Sequence, residues 1–155
     1  MLFNPVHEDR LERLSGRLCR APEVTSDLFS DVVAICARIA LLAQAGKTGR
    51  LNGMVEAKAW TDAALTLVAL EIPNWKLRRL EYEDGEWICS LSTQPNIPVA
   101  IDDTVDARHE VLPVAILRAF LNARRRNGEA REIKPLTTPQ VRPVAEHTMC
   151  CDNFS

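Results

Sequence analysis

The fold is decided by the stretch Trp75-Lys-Leu-Arg-Arg-Leu-Glu-Tyr-Glu-Asp-Gly-Glu-Trp-Ile-Cys-Ser-Leu-Ser92. It predicts a β-hairpin, because Asp84-Gly85 at its centre supplies the two positive-φ residues that a tight type I′ turn requires. The turn also sets the register of the two strands. The predicted opposite pairs are Glu83 and Glu86, Tyr82 and Trp87, Leu80 and Cys89, and Arg78 and Leu91.

This hairpin is predicted to have one apolar and one mixed face, because side chains alternate across a strand. The first face carries Leu80, Tyr82, Trp87, Cys89 and Leu91. The second face carries Arg79, Glu81, Ile88, Ser90 and Ser92. A sheet with one apolar face needs only one covering layer, which the flanking helical segments can provide.

Three long apolar segments with helical periodicity surround the hairpin, at residues 24–45, 54–70 and 111–126. A shorter amphipathic helix is predicted from His7 to Arg20, and residues 46–53 have the composition of a loop. The sequence therefore predicts an α+β fold. Three main helices pack on a small antiparallel sheet that is built around the hairpin at residues 75–92.

The hairpin alone is too small to complete this fold. Isolated two-stranded sheets are marginally stable, and the three helices carry more apolar surface than one small sheet face can cover. We therefore expect either a third strand, from residues 97–101 or 131–134, or a second subunit that shares the surface. A homodimer is favoured, because closed two-fold pairs are the commonest assemblies of soluble proteins.

The chain is predicted to divide into a single α+β domain, residues 1–126, and an extended or partly disordered tail, residues 127–155. Pro135, Pro139 and Pro143 interrupt helix in the tail and cannot donate to a sheet ladder. The tail also carries an apolar side chain every few residues. We expect it to become ordered only by contact, across the dimer.

Composition narrows the class of partner. The 19 basic and 21 acidic residues give a formal charge of −2, which argues against a protein that coats nucleic acid or an anionic membrane. Five cysteines without C-x-x-C spacing are typical of reduced thiols in the cytoplasm. The apolar run of residues 32–45 is shorter than the ~20 residues a bilayer requires. We predict a cytoplasmic protein without a membrane or nucleic-acid partner.

The candidate catalytic group is His109, which lies close in sequence to Asp102, Asp103 and Asp106. A histidine paired with a carboxylate can act as a general base, whereas the structural alternative is a cap at the start of the last helix. Neither a metal site nor a cofactor site is predicted, because His147, Cys150 and Cys151 do not complete a tetrahedral ligand set. Gly46-Lys47-Thr48 lacks the preceding glycine of a phosphate loop.

The pattern Trp75-x-x-Arg78-x-Leu80-x-Tyr82-x-x-Gly85-x-Trp87-x-Cys89, followed by His109-Glu-x-Leu-Pro-x-Ala-Ile-Leu-Arg-Ala119, resembles small uncharacterised bacterial proteins. The hairpin followed by an alanine-rich helix is also similar to the phage ABA sandwich domain. The resemblance covers residues 54–126. These motifs are structural, so the resemblance implies no activity and no catalytic residue.

Together these observations favour a non-enzymatic cytosolic adaptor or regulator that binds protein and acts as a homodimer. One alternative is a dimer that holds client proteins as secretion chaperones do, and an open strand edge or an exposed apolar groove would favour it. The other is a small enzyme that uses His109. A concave pocket containing His109 and two carboxylates would favour the enzyme.

Overall fold

The structure is a computed structural model that describes residues 5–98 and 103–132. Within these ranges, six helices accompany a three-stranded antiparallel sheet of order β1-β2-β3, so the predicted α+β fold is confirmed. The elements in chain order are α1 (Pro5–Arg20), α2 (Ser26–Ala34), α3 (Ala37–Gln44), α4 (Gly49–Glu56), α5 (Trp60–Glu71), β1 (Lys76–Glu83), β2 (Glu86–Ser92), β3 (Thr104–His109) and α6 (Leu112–Glu132).

The hairpin has the predicted turn and most of the predicted register. Asp84 and Gly85 have φ angles of 52° and 85°, and the pairs nearest the turn match from Glu83 as far as Leu80. The predicted pair of Arg78 with Leu91 is wrong, because the register shifts between Leu77 and Arg79 and places Leu77 opposite Leu91. A bulge adds one residue to a strand. Here it keeps an apolar side chain beside the buried Leu91.

The third strand exists, but it is not one of the two segments predicted. It is β3, which pairs with β2 so that Val105 lies opposite Leu91 and Ala107 opposite Cys89. Residues 97 and 98 belong to a loop, residues 99–101 lie outside the described ranges, and residues 131–132 belong to α6. The signal for β3 is the alternation of buried Val105, Ala107 and His109 with more exposed residues.

Two of the three predicted main helices are each divided into two. Residues 24–45 form α2 and α3, which are separated at Ile35 and Cys36, and the second apolar segment is broken before Trp60. The predicted loop at residues 46–53 is largely helix α4, which is followed by Lys58 at a φ angle of 56°. These breaks turn the chain, so that short helices can pack around the longer ones.

The centre of the molecule is the first half of α6. It packs on β2 and β3 on one side and on α1 and α5 on the other. Its buried side chains therefore point in nearly all directions, as expected for a helix enclosed on two sides. They are Val114, Ala115, Ile116, Leu117, Ala119, Phe120, Leu121 and Ala123. The helix continues to Glu132, past its predicted end at Arg126, and the remainder of the predicted tail lies outside the described residues.

We expect Gly85→Ala to destabilise the protein by about 1 kcal/mol, because an L residue in the left-handed region carries a steric cost of that order. Gly85 has a φ angle of 85°, and no neighbouring atom would otherwise obstruct a methyl group. The matched control is Gly128→Ala on the exposed part of α6, where alanine should stabilise the helix by roughly 0.5–1 kcal/mol. Urea denaturation measures both changes, and equal effects of the two substitutions would contradict the assigned turn.

Candidate functional site

The structure places His109 at the end of β3, on the sheet face that α6 covers. Its side chain is nearly buried, and Nδ1 accepts a hydrogen bond from the backbone N–H of Val111 at 2.9 Å. The contact supplies an acceptor to a backbone N–H just before α6, which begins at Leu112 and whose first N–H groups have no partner within the helix. The side chain of His109 is therefore part of the connection between β3 and α6.

The acidic residues near His109 in sequence do not converge on it. Asp106 is on the opposite face of β3, where its Oδ1 accepts a hydrogen bond from the Ser90 hydroxyl. Asp103 lies at the other end of the strand and pairs with Arg126 at 3.0 Å. Asp102 lies outside the described residues. A groove beside β3 and the end of α6 includes Asp106 but not His109.

The arginines of α6 take part in contacts within the chain. Arg118 donates to the backbone carbonyl of Arg108, and Arg126 pairs with Asp103. Arg124 pairs with Glu71 at 2.9 Å in a nearly buried position. Three of the side chains that could contact phosphate therefore already have acceptors. Among the described residues, no group of three or more histidine, cysteine or acidic side chains could hold a metal ion.

The Glu71–Arg124 ion pair is part of a buried polar cluster that joins three helices. The second carboxylate oxygen of Glu71 accepts the backbone N–H of Ile39 at 2.9 Å and so caps the start of α3. Cys36 lies beside this pair and donates its thiol to the Val32 carbonyl. Burial, with a smaller contribution from the negative charge of Glu71, raises the pKa of Cys36 to about 12.

Removal of one member of this ion pair should be strongly destabilising, because it leaves a buried charge unpaired. We expect Glu71→Leu or Arg124→Leu to cost about 3–5 kcal/mol each, and the double substitution to cost clearly less than the sum. Chemical denaturation of the two single variants and the double variant forms the double-mutant cycle. Additive effects would contradict a direct interaction between the two side chains.

The two buried thiols should be unreactive in the folded protein. Burial, with the charge of Asp106 as a second cause, also raises the pKa of Cys89 to about 12. A raised pKa keeps a thiol protonated at all pH values well below it, and only the thiolate is nucleophilic. We expect iodoacetamide at pH 8 to modify the exposed Cys19, and to modify Cys36 and Cys89 only after unfolding. Peptide mass spectrometry distinguishes the three sites. Labelling of Cys36 in the native state would contradict this environment.

The two outer edges of the sheet differ in how they are covered. At β3, the backbone carbonyl of Asp106 accepts from the Asn122 side chain at 3.1 Å, and that of Arg108 accepts from Arg118. Side chains of α6 therefore occupy the outward carbonyl groups of this strand. A strand edge whose outward carbonyl groups are already occupied cannot readily pair with another strand.

Within the part of the chain that the structure describes, no strand pairs with the outer edge of β1. The hairpin pairs direct the backbone groups of Glu81 and Glu83 towards β2, which leaves those of Leu80 and Tyr82 on the outer edge. Among the described residues, no backbone group outside the sheet pairs with those of Leu80 and Tyr82. Just before β1, the buried Trp75 indole donates to Asn127 of α6 at 2.9 Å, and at the start of β1 the Arg78 side chain donates to the carbonyl of Ile97 at 2.9 Å.

Apolar side chains are exposed along this open edge. Tyr82 is 61% exposed and Leu77 is 42% exposed, and Leu80 and Trp87 are only partly covered. The rings of Tyr82 and Trp87 lie against each other, with centroids 5.2 Å apart. All four side chains share the sheet face on which α6 packs, but α6 covers β2 and β3. We call Leu77, Leu80, Tyr82 and Trp87, together with the backbone edge of β1, the β1 edge surface.

The charges of β1 are separated along its length. Lys76, Arg78 and Arg79 occupy the first half, and Glu81 and Glu83 the second. Arg79 and Glu81 are neighbours on the outer face, where the hydrogen bond from Arg79 holds the pKa of Glu81 below its ordinary value. This order of charges can be read from the sequence. The sequence does not show that β1 is an edge strand, because that depends on the position of β3.

No family model matches this chain, and searches of curated proteins and of solved structures find no match either. The similarity to the phage ABA sandwich domain therefore stays a prediction. Within residues 5–98 and 103–132, none of the helices has the length and apolar composition needed to cross a bilayer.

Proposed function

We propose that this protein is a non-enzymatic adaptor or regulator of the cytoplasm, which binds protein and acts as a homodimer. The observation that carries the proposal is the β1 edge surface. It combines unused backbone hydrogen-bonding groups with exposed apolar side chains, and both are the requirements for adding a strand from another chain. The described acidic candidates, Asp103 and Asp106, do not converge on His109, so the hypothesis of an enzyme that uses His109 has no comparable support.

A protein ligand suits this surface better than a small molecule does. An added strand gains affinity from main-chain hydrogen bonds and selectivity from alternate side chains. Tyr82 and Trp87 offer a large, rigid aromatic contact of the kind enriched at protein interfaces. The β1 edge surface lies along one strand edge, whereas small-molecule sites are concave pockets.

The second candidate is a dimer that holds client proteins, in the manner of a secretion chaperone. The open edge of β1 favours it, because an extended client segment can pair with such an edge without having a defined fold. The two functions differ in selectivity. A client-holding protein should slow the aggregation of several unrelated unfolded proteins, whereas an adaptor should leave them unaffected. Light scattering of unfolded test proteins in the presence of this chain separates the two.

We expect Tyr82→Lys to weaken self-association at least tenfold, because a charge replaces an exposed aromatic side chain within the β1 edge surface. The matched control is Leu41→Lys on α3, where an apolar side chain is similarly exposed, at 66%. Sedimentation velocity measures the dimer dissociation constant of each variant. A species of 17.3 kDa for the unsubstituted chain at micromolar concentration would contradict the homodimer.

A further inference from the structure

We propose that the partner at the β1 edge surface is β1 of a second copy, paired antiparallel around a two-fold axis at Leu80. The inference rests on the proposed homodimer and adds the interface and its register. The two three-stranded sheets then join edge to edge into one continuous sheet. Leu80 is the natural centre, because its backbone groups point outwards and it lies midway between Arg79 and Glu81.

The order of charges along β1 favours this arrangement. With Leu80 opposite Leu80 of the second copy, Arg79 lies opposite Glu81 of that copy, and Glu81 lies opposite its Arg79. Each charged pair therefore occurs twice across the interface, and the contacts add to the Arg79–Glu81 ion pair already present within each strand. A parallel pairing in register would instead place like charges opposite each other. The order of charges thus favours an antiparallel two-fold pair of β1 strands over a parallel one.

The apolar side chains agree with the same register. In an antiparallel pair, opposite residues share a sheet face, so Leu80 meets Leu80 of the second copy on the face that carries α6. Tyr82 then lies over the junction between the two strands, next to Leu80 of the neighbouring chain. The Tyr82 side chain, 61% exposed in the single chain, then becomes partly covered. Both α6 helices lie on the same side of the joined sheet.

The test uses the full chain and charge reversals at two exposed positions. Arg79→Glu alone and Glu81→Arg alone each place like charges across the proposed interface. We expect each variant to weaken dimerisation at least tenfold in sedimentation velocity, with an unchanged circular dichroism spectrum. An equimolar mixture of the two variants should restore the dimer as a heterodimer, because both cross-strand pairs are then again of opposite sign. The contact within each strand stays like-charged in the mixture, so only pairing between chains explains the rescue.

The matched control reverses another exposed ion pair, Arg13 with Asp9 on α1, and should leave dimerisation unchanged. The register is tested by Leu80→Cys in a chain whose Cys19, Cys150 and Cys151 are serine and whose Cys89, which lies opposite Leu80 on β2, is alanine, so that no disulfide within the chain competes. Opposite residues in such a pair have Cα atoms ~5.5 Å apart, within the range that a disulfide spans. Mild oxidation should link most of this variant into dimers. Leu41→Cys in the same background should remain unlinked.

The outcomes separate this inference from the proposed function. A dimer that both reversals leave intact, or a mixture without rescue, would overturn the β1 pairing and leave the homodimer standing. If deletion of residues 133–155 abolishes the dimer while the reversals do not, that segment occupies the interface and the β1 pairing is overturned. An unsubstituted chain that is monomeric would overturn both.

Discussion

The enclosure of α6 between two layers is the constraint on which the rest of the structure depends. Phe120 and its neighbours are buried on the sheet side and on the helical side alike, so one hydrophobic core serves both layers. Further along α6, Arg124 pairs with Glu71, whose carboxylate also caps α3. The same helix therefore sets the distance between the layers and the positions of the helices behind it.

This arrangement also explains why one strand remains open. A helix is ~10–12 Å across and neighbouring strands lie ~4.8 Å apart, so a single helix covers about two strands. In this protein those strands are β2 and β3, and α6 side chains additionally occupy the outer carbonyl groups of β3. The third strand, β1, keeps its apolar side chains partly exposed, and no described strand pairs with its outer edge. The surface proposed for binding is thus a geometric consequence of having one central helix.

The described candidate catalytic side chains and the two buried thiols are held in structural roles. His109 accepts from the backbone N–H before α6, Asp106 pairs with Ser90 on the far face of the sheet, and the two buried thiols have pKa values near 12. His109 and Asp106 are separated by the sheet, and the two buried thiols are removed from water. The described edge of β1 is an accessible surface with ordered charges. That surface is suited to the recognition of another chain.

The sequence by itself determined the features that depend on neighbouring residues. Asp84-Gly85 favours positive φ angles through its local chemistry, so the turn, the adjacent register and the apolar face of the hairpin could be predicted. Only the tertiary structure decided features that depend on distant residues. The helix break at Cys36 is stabilised by Glu71, far along the chain, and the bulge at Leu77 reflects the packing of Leu91. The pairing of β3 with β2 decided which strand of the hairpin stays open, because local propensity carries no information about which edge a later strand will cover.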